Sequence, residues 1–166
     1  MNLVLQPSKY SQRNVHFLDT KTNMIMDGNF TKTMYTTENM TMNGIYIEFP
    51  IQPESVQSFS PSSPLQKYNS ETKYIMKFNI EENRSLLETM FKIEDSILKY
   101  YMEYFNITKK LLHSLSNQLQ HGVVKYSSSH LTLQKNPLKN YFIKISGIWE
   151  NNYEIGITYK IFEKVV

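Results

Sequence analysis

The chain has 166 residues, 40% of them apolar and 20% charged, with a formal net charge of +3 and no cysteine. A chain of this length can bury about 70% of its unfolded surface in one core, that apolar and charged balance excludes disorder throughout, and the missing thiols exclude a disulfide scaffold and a thiolate zinc site. Twelve tyrosines and nine phenylalanines against five glycines suit sheets with few tight turns.

At the amino end only Leu3, Val4 and Leu5 run together, too short for a signal-peptide core, and no run approaches the roughly 18 apolar residues of a membrane span. A soluble intracellular protein is expected, with the sequons at Asn29, Asn39, Asn83 and Asn106 unglycosylated. "RNVHFLD" alternates Val15 and Phe17 with polar neighbours, and "FTKTMYTT" follows a turn at Asp27-Gly28, predicting two strands. "MTMNGIYIEFPI" puts Ile45, Ile47, Phe49 and Ile51 on one face of another, with a turn or bulge at Asn43-Gly44. Residues 52–71 hold three prolines and six serines and predict a long flexible loop. "TKYIMKFNI" resumes the alternation, with Tyr74, Met76, Phe78 and Ile80 facing one way and Lys73, Ile75 and Lys77 the other.

Helical spacing follows. From Asn83 to Phe105 an apolar stripe runs through Leu86, Met90, Ile93, Ile97, Tyr101 and Tyr104; Asn83 or Ser85 suits the N-cap, and Ser85 with Glu88 has the spacing of a capping box. A shorter helix is expected from Thr108 to Gln120 on Leu111, Leu115 and Leu119, ended by Gly122. "HGVVKYSSSHLTLQKNPLKN" predicts a short strand, a serine-rich turn and a further strand around Leu131 to Leu133. In the closing hairpin, strict alternation puts Tyr141, Ile143, Ile145, Gly147 and Trp149 on one face, opposite Lys144 and Ser146. Beyond Asn151-Asn152, Tyr153, Ile155, Ile157, Tyr159 and Ile161 align, with Lys160 on the reverse. Strands, helices, then strands make an α+β chain, read as a single domain over residues 1–166.

Catalytic patterns are missing. The four histidines form no i, i+4 pair, and there is no Gly-x-Ser-x-Gly elbow, phosphate loop, dinucleotide fingerprint or calcium loop, so no enzyme, metal or cofactor is expected. Glu94-Asp95 reads as a solvated helix face. Charge is uneven: Glu81 to Glu103 holds six acids against three bases, whereas Tyr104 to Trp149 holds six lysines and no acid. Such a stretch fits a track for a polyanion, and it also fits an ordinary solvated surface. Lysines that neutralise phosphates, beside rings that stack on bases for about 1–3 kcal/mol each, are what single-stranded nucleic-acid binders need. One architecture that does this is a five-stranded barrel with a helix between its third and fourth strands, and the helical block here falls in that place.

Taken in order, "MTMNGIYIEFPI", "KYIMKFNI", "SLLETMFKIEDSILKYY", "HGVVKYSSSH" and "NYFIKISGIWENNYEIGITYKIF" resemble the OB-fold, single-stranded-DNA-binding-like proteins of nucleocytoplasmic large DNA viruses, over roughly residues 40–162. The resemblance implies a small OB-like β-barrel of about five to seven strands, with a long and a short helix inserted before the last strands. It also implies a non-enzymatic, sequence-independent binder of single-stranded DNA for viral-type replication, recombination or repair, at a replication site in the host cytoplasm or nucleus. RNA and a homo-oligomer remain open as partners; a membrane does not. Lys125 and Tyr126 match the family's basic-aromatic "VKYS" stretch. From the residues themselves, Lys135, Lys139, Lys144 and Lys160 are candidates for phosphate contacts, with Lys73 and Lys77 in the same groove. Trp149 and Tyr153 are candidates for stacking, Trp149 fitting the core as well, and Lys67 with Tyr68 would close the long loop over a strand. The chain ends "EKVV", without the acidic tail of many replication single-strand binders, so recruitment through a tail is not expected. The competing reading is an interaction protein that associates through the helix from Asn83 to Phe105.

Overall fold

The computed structural model describes residues 4–24, 27–59, 72–128 and 139–165. Near the amino end β1 (Val15–Thr22) and β2 (Asn29–Thr36) pair antiparallel. The segment from Met40 to Ile51 divides at Asn43-Gly44: β3 (Thr41–Met42) stays with β2, and β4 (Ile45–Glu48) leaves for another partner. Ile45, Ile47, Phe49 and Ile51 are all buried, as their alternation requires. The connection from Gln52 is not irregular throughout, because β5 (Pro53–Phe59) pairs antiparallel with β6 (Thr72–Phe78). β5 is an edge strand whose proline opens it, the position at which a missing N–H is tolerated. Its exposed Glu54, Ser55, Gln57 and Ser58 leave no apolar alternation to find. The remainder of the predicted loop, with Lys67 and Tyr68, lies outside the described residues.

α1 (Arg84–Phe105) buries Met90, Ile93, Ile97 and Tyr101 of the expected stripe, while Tyr104 is exposed. Asn83 sits at the N-cap position but does not cap: its Oδ1 accepts from the Gln52 amide at 3.2 Å and its Nδ2 donates to the Asn79 carbonyl at 2.7 Å. The second helix is shorter than its leucine spacing predicts. Lys110–Leu112 is a strand, β7, and only Ser114–Leu119 is helical, α2. Then come β8 (Val123–Ser128), β9 (Lys139–Glu150) and β10 (Glu154–Val165). The strand expected around Leu131 to Leu133 lies outside the described residues.

Among the described residues all ten strands join one mixed sheet in the order β1-β2-β9-β10-β8-β6-β5, with β3 on β2, β4 on β9 and β7 on β10. β7 and β8 run parallel to β10, and the other pairings are antiparallel. The fold is α+β, as expected. The sheet is open, with β1 and β5 at opposite ends of the path, so the closed barrel that the resemblance implied is replaced by an open sheet with two edges.

One irregularity reorganises the closing hairpin. Thr158 pairs with Gly147 but Tyr159 pairs with Ile145, so Ser146 is an extra residue in β9. Beyond this bulge the alternation inverts. Ile148 joins Ile143 and Ile145 on the buried face, and Gly147 and Trp149 move to the face of Lys144. Strict alternation had put them on the other side. The close approach needs glycine: a Cβ on Gly147 would collide with the Thr31 carbonyl and lie 2.6 Å from Phe30 Cζ, and one on Gly156 would lie 2.7 Å from the Trp149 indole. Gly147→Ala is therefore expected to lower the unfolding free energy by about 1–3 kcal/mol, because the obstructing atom is backbone. Urea denaturation beside the wild type checks this.

Candidate nucleic-acid interface

Residues paired across an antiparallel ladder point to the same side, so the register sorts the sheet into two faces. The first carries Thr31, Thr33, Tyr35, Ile143, Ile145, Ile161, Val124 and Met76, all buried. α1 and α2 lie on this side. Tyr101 of α1 donates to Glu150 at 2.7 Å and meets the Thr31 hydroxyl at 3.0 Å. Burial, with the Glu150 carboxyl behind it, pushes the Tyr101 phenol up to about 12.

The second face is basic and aromatic. Lys144 pairs with Lys160 on one side and with Tyr46 on the other, and its ammonium lies 5.2 Å from the Tyr46 ring centroid. Phe142 and Phe162 pair and stack at 5.5 Å, with Tyr46 edge-on to Phe162. Past Phe162 the ladder reaches Ser127, and with it Lys125; β6 adds Lys73 opposite Ser127, then Ile75 and Lys77. Toward the other edge lie Trp149, its partner Phe30, Lys32 opposite Gly147, and Lys21 opposite Phe30. Glu48 shares this face, and Glu154 sits at its rim, bound to Lys110 at 2.9 Å. From β1 to β6 the lysines span five strand spacings, roughly 24 Å.

Of the residues named from sequence, Lys73, Lys77, Lys125, Lys144, Lys160 and Trp149 thus share one face. Trp149 is half-buried there, lying over Gly156, and is not a core residue under the helices. Tyr153, 80% exposed, is apart from them in the β9–β10 turn. That turn is held by Asn151, whose Oδ1 accepts from the Tyr153 and Glu154 amides at 2.8 Å. Tyr126 must be corrected. It is 3% exposed on the helix-covered side, stacked on Tyr74 at 5.2 Å and edge-on to Tyr141, so its ring is unavailable to a base. Lys139 opens β9 opposite Val165, and its side chain lies outside the described residues, as do Lys135, Lys67 and Tyr68. Lys21, Phe30, Lys32 and Tyr46 were missed. Their signal was available as the i, i+2 pair Phe30 and Lys32, and as a tyrosine between Ile45 and Ile47.

The acid-free stretch is less basic in space than in sequence. Lys109 donates to Glu150 at 2.5 Å and to the Asn151 carbonyl at 2.6 Å, and Lys110 is held by Glu154. Nor is Glu94-Asp95 a solvated pair. Glu94 is fully buried, accepting from the Leu115 amide (3.0 Å), the Ser116 amide (2.9 Å) and the Ser116 hydroxyl (2.5 Å). Desolvation raises the Asp95 carboxyl, but hydrogen bonds from Lys99 and His113 outweigh it and leave the group below the usual carboxylate range.

Among the described residues, no group of three or more His, Cys, Asp or Glu could hold a metal ion, and no helix is long and apolar enough to cross a membrane. Comparison of the chain with family models, with curated proteins and with solved structures found no match.

Proposed function

We propose that the chain is a non-enzymatic, sequence-independent binder of single-stranded DNA, with the strand lying across the outer face of the sheet. The observation that carries this reading is the ladder register, which brings Lys73, Lys125, Lys144 and Lys160 onto the same side as Trp149, Phe30 and Tyr46. Ammonium groups at the strand spacing hold phosphates as point charges, and half-exposed rings offer sequence-tolerant stacking. The kinship with OB-fold binders of DNA viruses, and with it a viral replication site, rests on the sequence resemblance alone. The binding mode itself needs an accessible sheet face and not a closed barrel.

Titration with oligothymidylate across a salt series tests it. The logarithm of the association constant should fall linearly with the logarithm of salt, by about 0.7 for each phosphate neutralised. Trp149, the chain's single tryptophan, should be quenched as the oligomer binds. Binding that ignores salt, or that leaves the indole emission unchanged, overturns this mode.

The competing reading, association through α1, finds support in a groove beside that helix. The stripe of Met90, Ile93, Ile97 and Tyr101 is buried within the chain, but Ile80, Leu87, Phe91 and Leu119 line an apolar groove beside it, with Phe91 43% exposed. A stable dimer by light scattering that is lost in Phe91→Asp, with no oligothymidylate binding, would favour it.

A further inference from the structure

β8 and β10 touch through one bridge, Phe162 with Ser127. Away from it they part, and β7 takes the place beside β10 at Glu154–Gly156. The gap is a cleft of about 510 Å³ lined by Lys73, Lys125, Ser127, Tyr159, Lys160 and Gln118, among others, within the size range of small-ligand sites, roughly 300–1,000 Å³. Its rim belongs to the outer face, where Lys73, Lys125 and Lys160 arrive from three different strands. Its floor belongs to α2. The Tyr159 hydroxyl donates to the Gln118 side-chain carbonyl, leaving the Gln118 amide N–H groups as further donors. Burial, then the Glu94 carboxyl, pushes the Tyr159 phenol up to about 12, so it remains a donor at neutral pH. The bridge bounds the cleft at one end, and α2 lies beneath it.

We propose that this cleft takes the phosphomonoester end of a nucleic-acid strand, an inference that rests on the sheet-face reading above. An internal phosphodiester carries one negative charge, whereas a terminal monoester carries about 1.5 to 2 at neutral pH and offers three acceptor oxygens. Three ammonium groups around one opening match the second and exceed what the first requires.

Competition for the wild-type protein among oligothymidylates ending in a 5′-phosphate, a 3′-phosphate or hydroxyls only tests the proposal. A phosphorylated end should raise affinity about tenfold. The ratio should fall to one in Lys125→Ala/Lys160→Ala, persist in Lys160→Arg, and persist in Lys21→Ala/Lys32→Ala, which weakens the track far from the cleft. Equal affinity for phosphate and hydroxyl ends overturns the end-binding inference and leaves the sheet-face reading standing, as does a preference that survives the double alanine variant. Thymidine monophosphate bound with the same lysine dependence, while no oligothymidylate binds, makes the cleft a free-nucleotide site and overturns both strand readings. Inorganic phosphate that competes as well as the mononucleotide removes the nucleic acid from the proposal.

Discussion

Glu94→Ala is expected to lower the unfolding free energy by about 3 kcal/mol or more, seen as a lower urea midpoint at unchanged slope. The carboxyl is fully buried and accepts two backbone amides and one hydroxyl from the start of α2. Truncation leaves those donors in a site closed to water, and each buried donor without a partner costs about 1–3 kcal/mol. A short helix has few other means of satisfying its first amides, so the contact also fixes where α2 lies. Glu94→Gln keeps one carbonyl acceptor but turns an amide toward donors, and should fall between the wild type and alanine. A Glu94→Ala protein within about 0.5 kcal/mol of the wild type, the range of an ordinary surface substitution, would refute this account of the α1–α2 junction.

Replacing Lys73, Lys125, Lys144 and Lys160 together by alanine should weaken oligothymidylate binding roughly 600-fold at 0.1 M salt and lower the salt slope by close to 3. Both figures follow from about 0.7 per phosphate neutralised, taken over four contacts and one decade of salt. The four side chains stand on a solvent-facing surface, three of them exposed and Lys144 half-buried over Tyr46, so stability should change little. Lys9→Ala/Lys92→Ala removes exposed charge elsewhere on the chain and should leave the slope unchanged. The comparison separates a track from the general attraction of a basic protein: equal losses per charge removed in both sets would mean that net charge alone is at work.

Much of the fold was legible because local periodicity is a property of the backbone itself. A two-residue repeat can bury one side of a strand, and a 3.6-residue repeat one side of a helix, whatever lies opposite. Hence β1, β2, β6, α1 and the closing hairpin stand close to where the apolar spacing put them. The spacing failed where a segment's partner was decisive. β5 exists because β6 offers it an edge, and Lys110–Leu112 is a strand because β10 exposes Glu154–Gly156 to it, although its leucines also fit a helix.

The chain's own order of residues determined the α+β class, the apolar core and the supply of lysines and rings, since each follows from composition and short-range repeats. Tertiary structure alone decided which of those lysines face together. One extra residue at Ser146 carries Trp149 to the side of Lys144, while Lys109 and Lys110 meet acids 41 and 44 positions away, and Glu94 disappears beneath α2. A ladder slip and a charge partner both depend on contacts between residues far apart along the chain. Such contacts leave no periodic trace near the residues they govern.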